Sequence, residues 1–195
     1  MGINLGGNAP ILNLQKNDIL DLTKRNPGLK SVTLGAGWDI SHGGVDFDID
    51  IAAFMLDANN KFNTVSNIIF FNNKQGQGIT LSGDNRTGAG EGDDETIHIE
   101  LDQISPAVQK IVFVVTIHEA QSRRQTFGMV NNSYVRLLDR ANGDRELCRF
   151  NLKADGSTAT SVLFAELHRD MGEWQFKAVG EGKIADLNGV LALYS

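Results

Sequence analysis

The sequence predicts an all-β fold, a β-sandwich of two mainly antiparallel sheets with a few short helices. Three observations carry that prediction. Apolar residues recur with a two-residue period over short runs. Clusters of Gly, Asn and Asp, which favour turns, separate those runs. Helical periodicity is confined to short stretches. The 195 residues, 41% hydrophobic and 22% charged, suit one domain spanning residues 1–195 with a sizeable core.

In chain order, residues 31–34 form the first strand candidate. Residues 45–51 alternate cleanly, setting Asp46, Asp48 and Asp50 opposite Val45, Phe47, Ile49 and Ile51. Residues 65–72 follow. Residues 95–101 alternate again, with Ile97, Ile99 and Leu101 on one face. Residues 110–117 are a nearly unbroken apolar run, which marks a central strand buried on both faces. Strands over 134–138, 146–152, 161–167 and 174–180 complete the set. Ser105 and Pro106 read as an N-cap followed by proline at the first helical position, opening a single turn. Residues 184–194 carry a helical stripe at Ile184, Leu187, Leu191 and Tyr194.

Charge and composition narrow the function classes. A net charge of -6 repels phosphate backbones, so nucleic acid is not an expected partner. Cys148 is the sole cysteine, which rules out an intramolecular disulfide, and its strand setting predicts a core-facing thiol. The opening residues show neither a basic nor an apolar leader region. No run approaches the roughly 18 apolar residues of a transmembrane segment. A cytoplasmic protein is expected.

Residues 83–95 are the most informative stretch. Asp84, Glu91, Asp93, Asp94 and Glu95 accompany a single arginine, so the stretch holds -4 of the chain's -6. Crowded like charges cost free energy unless something neutralises them. Four glycines let the backbone fold tightly and turn carbonyls inward. Hard oxygen donors on a pliant backbone suit calcium, which takes about 6–8 oxygens at roughly 2.3–2.6 Å. Neither Cys nor His lies in the stretch, which argues against zinc and copper. A solvated acidic turn is the competing reading.

The stretch is not an EF-hand, because Arg86 and Gly88 stand where that motif wants acid or amide. Two calcium ions would need about 12–16 oxygens, more than the loop's own carboxylates can offer. Asn85 and Thr87 can add oxygens from within it. From outside, Asp48 is the favoured contributor, with Asp46 and Asp50 behind it. Asp39 is a further candidate, although an ordinary turn aspartate explains it equally well.

Residues 83–95 resemble the acidic calcium-binding signature of the TerD family, which is linked to tellurite resistance and stress responses. Gly37-Trp38-Asp39, Phe47-Asp48-Ile49-Asp50, Phe70-Phe71-Asn72-Asn73 and Val115-Thr116-Ile117-His118 are similar to family motifs. So are Arg123-Arg124-Gln125-Thr126-Phe127-Gly128 and Glu166-Leu167-His168-Arg169, all in the expected order. Two places depart from the pattern. Ala89 and Glu91 replace the family's Glu and Asp, and Asp186-Leu187-Asn188-Gly189 stands where members often carry Gly-Gly-Leu. The resemblance implies a TerD-like β-sandwich that binds two neighbouring calcium ions without established enzymatic activity. It also implies work with other tellurite-resistance proteins at the membrane.

Enzyme motifs are missing. His118-Glu119-Ala120-Gln121-Ser122 lacks the second histidine of a zinc protease helix, and the chain has no Gly-x-Ser-x-Gly elbow. The expected function is a calcium-binding stress-response adaptor. The alternatives are a calcium-dependent membrane-docking module and, less favoured, a metal-assisted hydrolase. His98 and His168, on strands, are expected to be surface or packing residues and not ligands, and Arg123, Arg124 and Gln125 to form a polar loop surface or a partner site.

Overall fold

The computed structural model describes residues 10–40, 46–82, 92–152 and 158–195. Its strands are Leu12–Leu14 (β1), Ile19–Asp21 (β2), Ser31–Ile40 (β3), Ile49–Leu56 (β4), Ile68–Ile69 (β5), Gln75–Gly76 (β6) and Ile79–Ser82 (β7). Glu95–Glu100 (β8), Lys110–Ile117 (β9), Val130–Asp139 (β10), Arg145–Asn151 (β11), Ser161–Asp170 (β12) and Glu173–Lys183 (β13) follow. Three short helices, Leu22–Arg25 (α1), Ala120–Arg123 (α2) and Leu187–Leu191 (α3), interrupt them.

The strands form two sheets, ordered β1-β11-β10-β3-β8-β7-β6 and β2-β13-β12-β9-β4-β5. The short β1 joins β11 in parallel, while the long neighbours β3, β8, β10, β9 and β12 run antiparallel. The all-β sandwich is therefore as the sequence predicts.

Inward-facing residues of both sheets make the main core. Val32 and Leu34 of β3, with Ile97 and Ile99 of β8, belong to the same buried cluster as Ile111 and Phe113 of β9. Burying such side chains contributes about 1.5–3 kcal/mol each, which offsets the entropy of ordering the strands. A second cluster covers the outer side of the second sheet, where Phe54, Val112 and Val114 pack against Val190, Leu191 and Tyr194. These two layers explain why β9 is buried on both faces, as its apolar run predicts.

Several elements differ from expectation. Residues 65–72 are a strand only at Ile68–Ile69. They form a single 3-10 turn over Val65–Asn67 and the two-residue β5. Asparagine chemistry accounts for this, since Asn73 Nδ2 donates to Ile68 O at 2.7 Å and closes the chain into a turn that excludes longer pairing. Val45 lies outside the described residues, and residues 46–51 keep the predicted in–out pattern, with Phe47, Ile49 and Ile51 buried, yet the strand begins only at Ile49 and runs on to Leu56.

Ser105 caps a turn rather than a helix, its Oγ accepting from Ala107 N at 3.3 Å. In the tail, Asp186 caps α3 by accepting from Gly189 N at 2.8 Å. Val190 takes the buried position there, while Ile184 is 71% exposed. Cys148 is fully buried in β11, and desolvation pushes its thiol up to about 12, which disfavours the nucleophilic thiolate. Among the described residues no helix is long and apolar enough to cross a membrane.

Candidate metal centre

Strands β7 and β8 are hydrogen-bonded neighbours, with Ser82 opposite Thr96. The acidic stretch is thus a long hairpin connection at one end of the sandwich. Asp84, Asn85, Thr87 and Glu91 lie outside the described residues. Asp93, Asp94 and Glu95 are described, and each is fixed by the strand it faces.

Asp94 extends the pairing of β8 with β3. Its amide donates to Ala36 O at 2.8 Å, and its Oδ2 accepts from Trp38 N at 2.8 Å. Glu95 follows the inward phase of Ile97 and Ile99, which directs its carboxylate between the sheets. There its Oε2 accepts from Ile51 N at 2.7 Å, a bond that joins the first sheet to β4 of the second. Both acids are buried. A buried carboxylate needs such donors, because desolvating it unpaired costs several kcal/mol (about 3–5 when a buried pair is broken).

Asp93 precedes β8 and lies on the outer face of the first sheet although it is two residues from Glu95, because Asp94 and Glu95 both sit against Ala36 and break the alternation. Arg136 Nε lies 2.8 Å from its Oδ1 and 3.1 Å from its Oδ2, and Tyr134 OH donates to Oδ1 at 3.0 Å. Arg136 Nη1 also donates to Glu146 Oε2 at 3.1 Å, and Glu146 Oε1 accepts from Arg149 Nε at 2.8 Å. The Arg149 guanidinium stacks 4.3 Å above the Tyr134 ring. Burial first, and then the Asp93 charge, push the Tyr134 phenol up to about 12. The Arg149 hydrogen bond outweighs burial and, with Arg136, holds the Glu146 carboxyl below its usual range.

The outlying candidates have structural work of their own. Asp39, on β3, is exposed and its Oδ2 accepts from Asn132 Nδ2 at 2.7 Å. Asp48 precedes β4, the strand Glu95 reaches, and its carbonyl accepts from His118 N at 2.7 Å. Arg123 and Gln125 both donate to the neighbouring Asp46 carbonyl, Gln125 Nε2 at 2.9 Å, while Arg124 is exposed. Among the described residues, no three carboxylates, histidines or cysteines converge as a metal-binding group. The described acidic donors are oxygens, the type a hard cation takes.

Sequence alone assigns Gly35, Tyr134 and Arg136 no site role, and Gly37 figures there only within a family motif. A Cβ at Gly35 would overlap the Asp93 carboxylate, and one at Gly37 would lie 2.5 Å from Tyr134 Cζ. Two glycines alternating along one strand face signal such a close approach. The strand histidines pack as expected: His98 Nδ1 is 2.9 Å from Thr33 Oγ1, and His168 Nε2 is 2.7 Å from Gln175 Oε1.

Comparison with known proteins gives a consistent family. The TerD domain matches residues 11–194. Two proteins named Tellurium resistance protein TerD, from Serratia marcescens and Alcaligenes sp, are 46% and 47% identical over 94% of this chain and 96% of their own lengths. General stress protein 16U of Bacillus subtilis (strain 168) is 44% identical over 88% of this chain and 90% of its own. The crystal structure of a homologue of telluride resistance protein (TerD) from Streptomyces coelicolor A3(2) superposes with a TM-score of 0.67 at 27% identity, covering 84% of this chain and 96% of that one. The sandwich, the acidic hairpin and a match over nearly its whole length all agree: the chain belongs to the TerD family.

Proposed function

We propose that this chain is a calcium-binding, non-enzymatic protein of stress response and tellurium resistance, an adaptor whose acidic hairpin takes two neighbouring calcium ions. One observation carries the reading. Five carboxylates are concentrated in a glycine-rich hairpin whose exit is pinned to the sandwich by Asp93, Asp94 and Glu95. Bound calcium supplies the positive charge that the single arginine of the stretch cannot. Relatives named for tellurium resistance and general stress support the physiological setting. The non-enzymatic reading is supported by His98 and His168, which spend hydrogen bonds on sheet neighbours instead of facing a nucleophile.

Calorimetric titration of metal-stripped protein with calcium tests the reading. Saturable heat is expected, largely lost in the double variant Asp93→Asn with Asp94→Asn. Calcium at about 100 times the dissociation constant adds about 2.7 kcal/mol of stability by mass action. For a chain of this size that raises the midpoint of thermal unfolding by roughly 5–10 °C. A silent titration of the unaltered protein removes the assignment.

One surface feature favours a second reading, calcium-dependent docking to anionic membranes. Met129 is 47% exposed immediately before β10, whose first residue, Val130, lies opposite Ile40 at the same end as Asp39 and Asp94. Calcium bridging acidic headgroups beside an apolar side chain is the chemistry of such docking. Sedimentation with phosphatidylserine vesicles should then pellet the protein in calcium and release it in chelator. Equal recovery in both supernatants rejects docking while leaving calcium binding intact.

A further inference from the structure

The Asp93 carboxylate closes a ring of side chains on the outer face of the first sheet. Asp93 meets Arg136, Arg136 meets Glu146, Glu146 meets Arg149, Arg149 stacks on Tyr134, and Tyr134 donates back to Asp93. Two arginines balance two carboxylates, so the ring is neutral without any added ion. The Asp93 side chain is only 7% exposed there, and both of its oxygens face Arg136 Nε. Tyr134 OH also donates to Gly92 O at 3.0 Å, which holds the backbone as well as the side chain. Gly35 provides the floor, since a side chain at that position would take the carboxylate's place.

We propose that Gly35, Tyr134 and Arg136 form a seat holding Asp93 as an internal anchor of the acidic hairpin, not as a metal ligand, and are positioning residues for the cation site. The inference rests on the calcium-binding reading for its functional half. A carboxylate neutralised by its own guanidinium has little charge left to offer a cation. Fixing residues 92 and 93 sets the path of Asp94 and Glu95, whose amide and carboxylate bonds come next along the chain. Affinity then depends on the seat through preorganisation, as it does on groups that orient metal ligands elsewhere.

Gly35→Ala and Tyr134→Phe test this without changing the net charge. In the metal-stripped full chain, amide exchange at residues 92–96 should accelerate in both variants while the centre of β9 stays protected. Calcium titration should show affinity falling by about 10–100-fold with ions bound per chain unchanged. Asp93→Asn should do the same, keeping the full ion count. The proposal is overturned if both seat variants titrate like the unaltered protein, or if Asp93→Asn loses an ion per chain. Tyr134→Phe removes a single hydroxyl and decides the matter if Gly35→Ala does not fold. If the unaltered protein takes up no calcium, the cation site fails and the exchange measurement alone judges the anchor: faster exchange upholds it, unchanged exchange refutes it.

Discussion

Replacing Phe113 by alanine is expected to lower the unfolding free energy by about 3–5 kcal/mol. Phe113 has no solvent exposure, and its position at the middle of β9 points it into the space between the sheets. Its ring centroid lies 6.2 Å from that of Phe164 on β12, the next strand. Truncation removes both the transfer free energy of the ring and the contacts of everything lining the gap. The surrounding strands, hydrogen-bonded on both sides, cannot move inward to fill it. Urea denaturation should show a lower midpoint at an unchanged slope. Val65→Ala, at a position 78% exposed, is the matched control and should change stability by no more than about 0.5 kcal/mol. A loss at Phe113 no larger than at Val65 would contradict the packing described here.

The second large effect is expected at Glu95. Alanine there leaves Ile51 N–H buried without its acceptor, at a cost of about 1–3 kcal/mol. Glutamine keeps a carbonyl oxygen in place and should retain most of that stability while losing the charge. The pair therefore separates two roles of one residue. Measured in chelator, Glu95→Ala should be destabilised and Glu95→Gln nearly unchanged. Measured in calcium, Glu95→Gln should gain less stability than the unaltered protein, because a neutral amide is a poorer partner for the cation site. If glutamine and alanine destabilise equally in chelator, the carboxylate's charge and not its hydrogen bond holds the sheets together at that point.

Periodicity made much of this fold legible. The alternation through Ile97 and Ile99 and the nearly unbroken apolar run from Ile111 to Ile117 mark a half-buried and a fully buried strand from sequence alone. Residues 65–72 misled because apolar content alone was weighed. Asn67 and Asn73 supply side-chain and backbone bonds that close turns, and these compete with a ladder.

The candidate site was legible as a cluster of charge, since crowded acids are local in sequence. Its division of labour was not. That Asp93 faces outward to Arg136 while Glu95 faces inward follows from a break in strand alternation at Asp94 and from a partner on a distant strand. Regular alternation would put both on one face, and the doubling of Asp94 and Glu95 against Ala36 is what separates them. Gly35 and Gly37 did carry a readable sign, glycines on alternate positions of a strand, but it indicates close approach without naming what approaches.

The order of strands has a kinetic consequence. Leu20 lies opposite Phe176, and Asn13 opposite Arg149, so each sheet joins the beginning of the chain to its far end. Neither pairing can form until Arg149 or Phe176 has left the ribosome, and long-range closure of this kind slows folding to the millisecond-to-second range. During synthesis, the apolar run of β9 emerges well before its neighbour β12 and waits without one of its two partners. Expression yield should therefore respond to chaperone supply and growth temperature more sharply than the finished molecule's stability suggests.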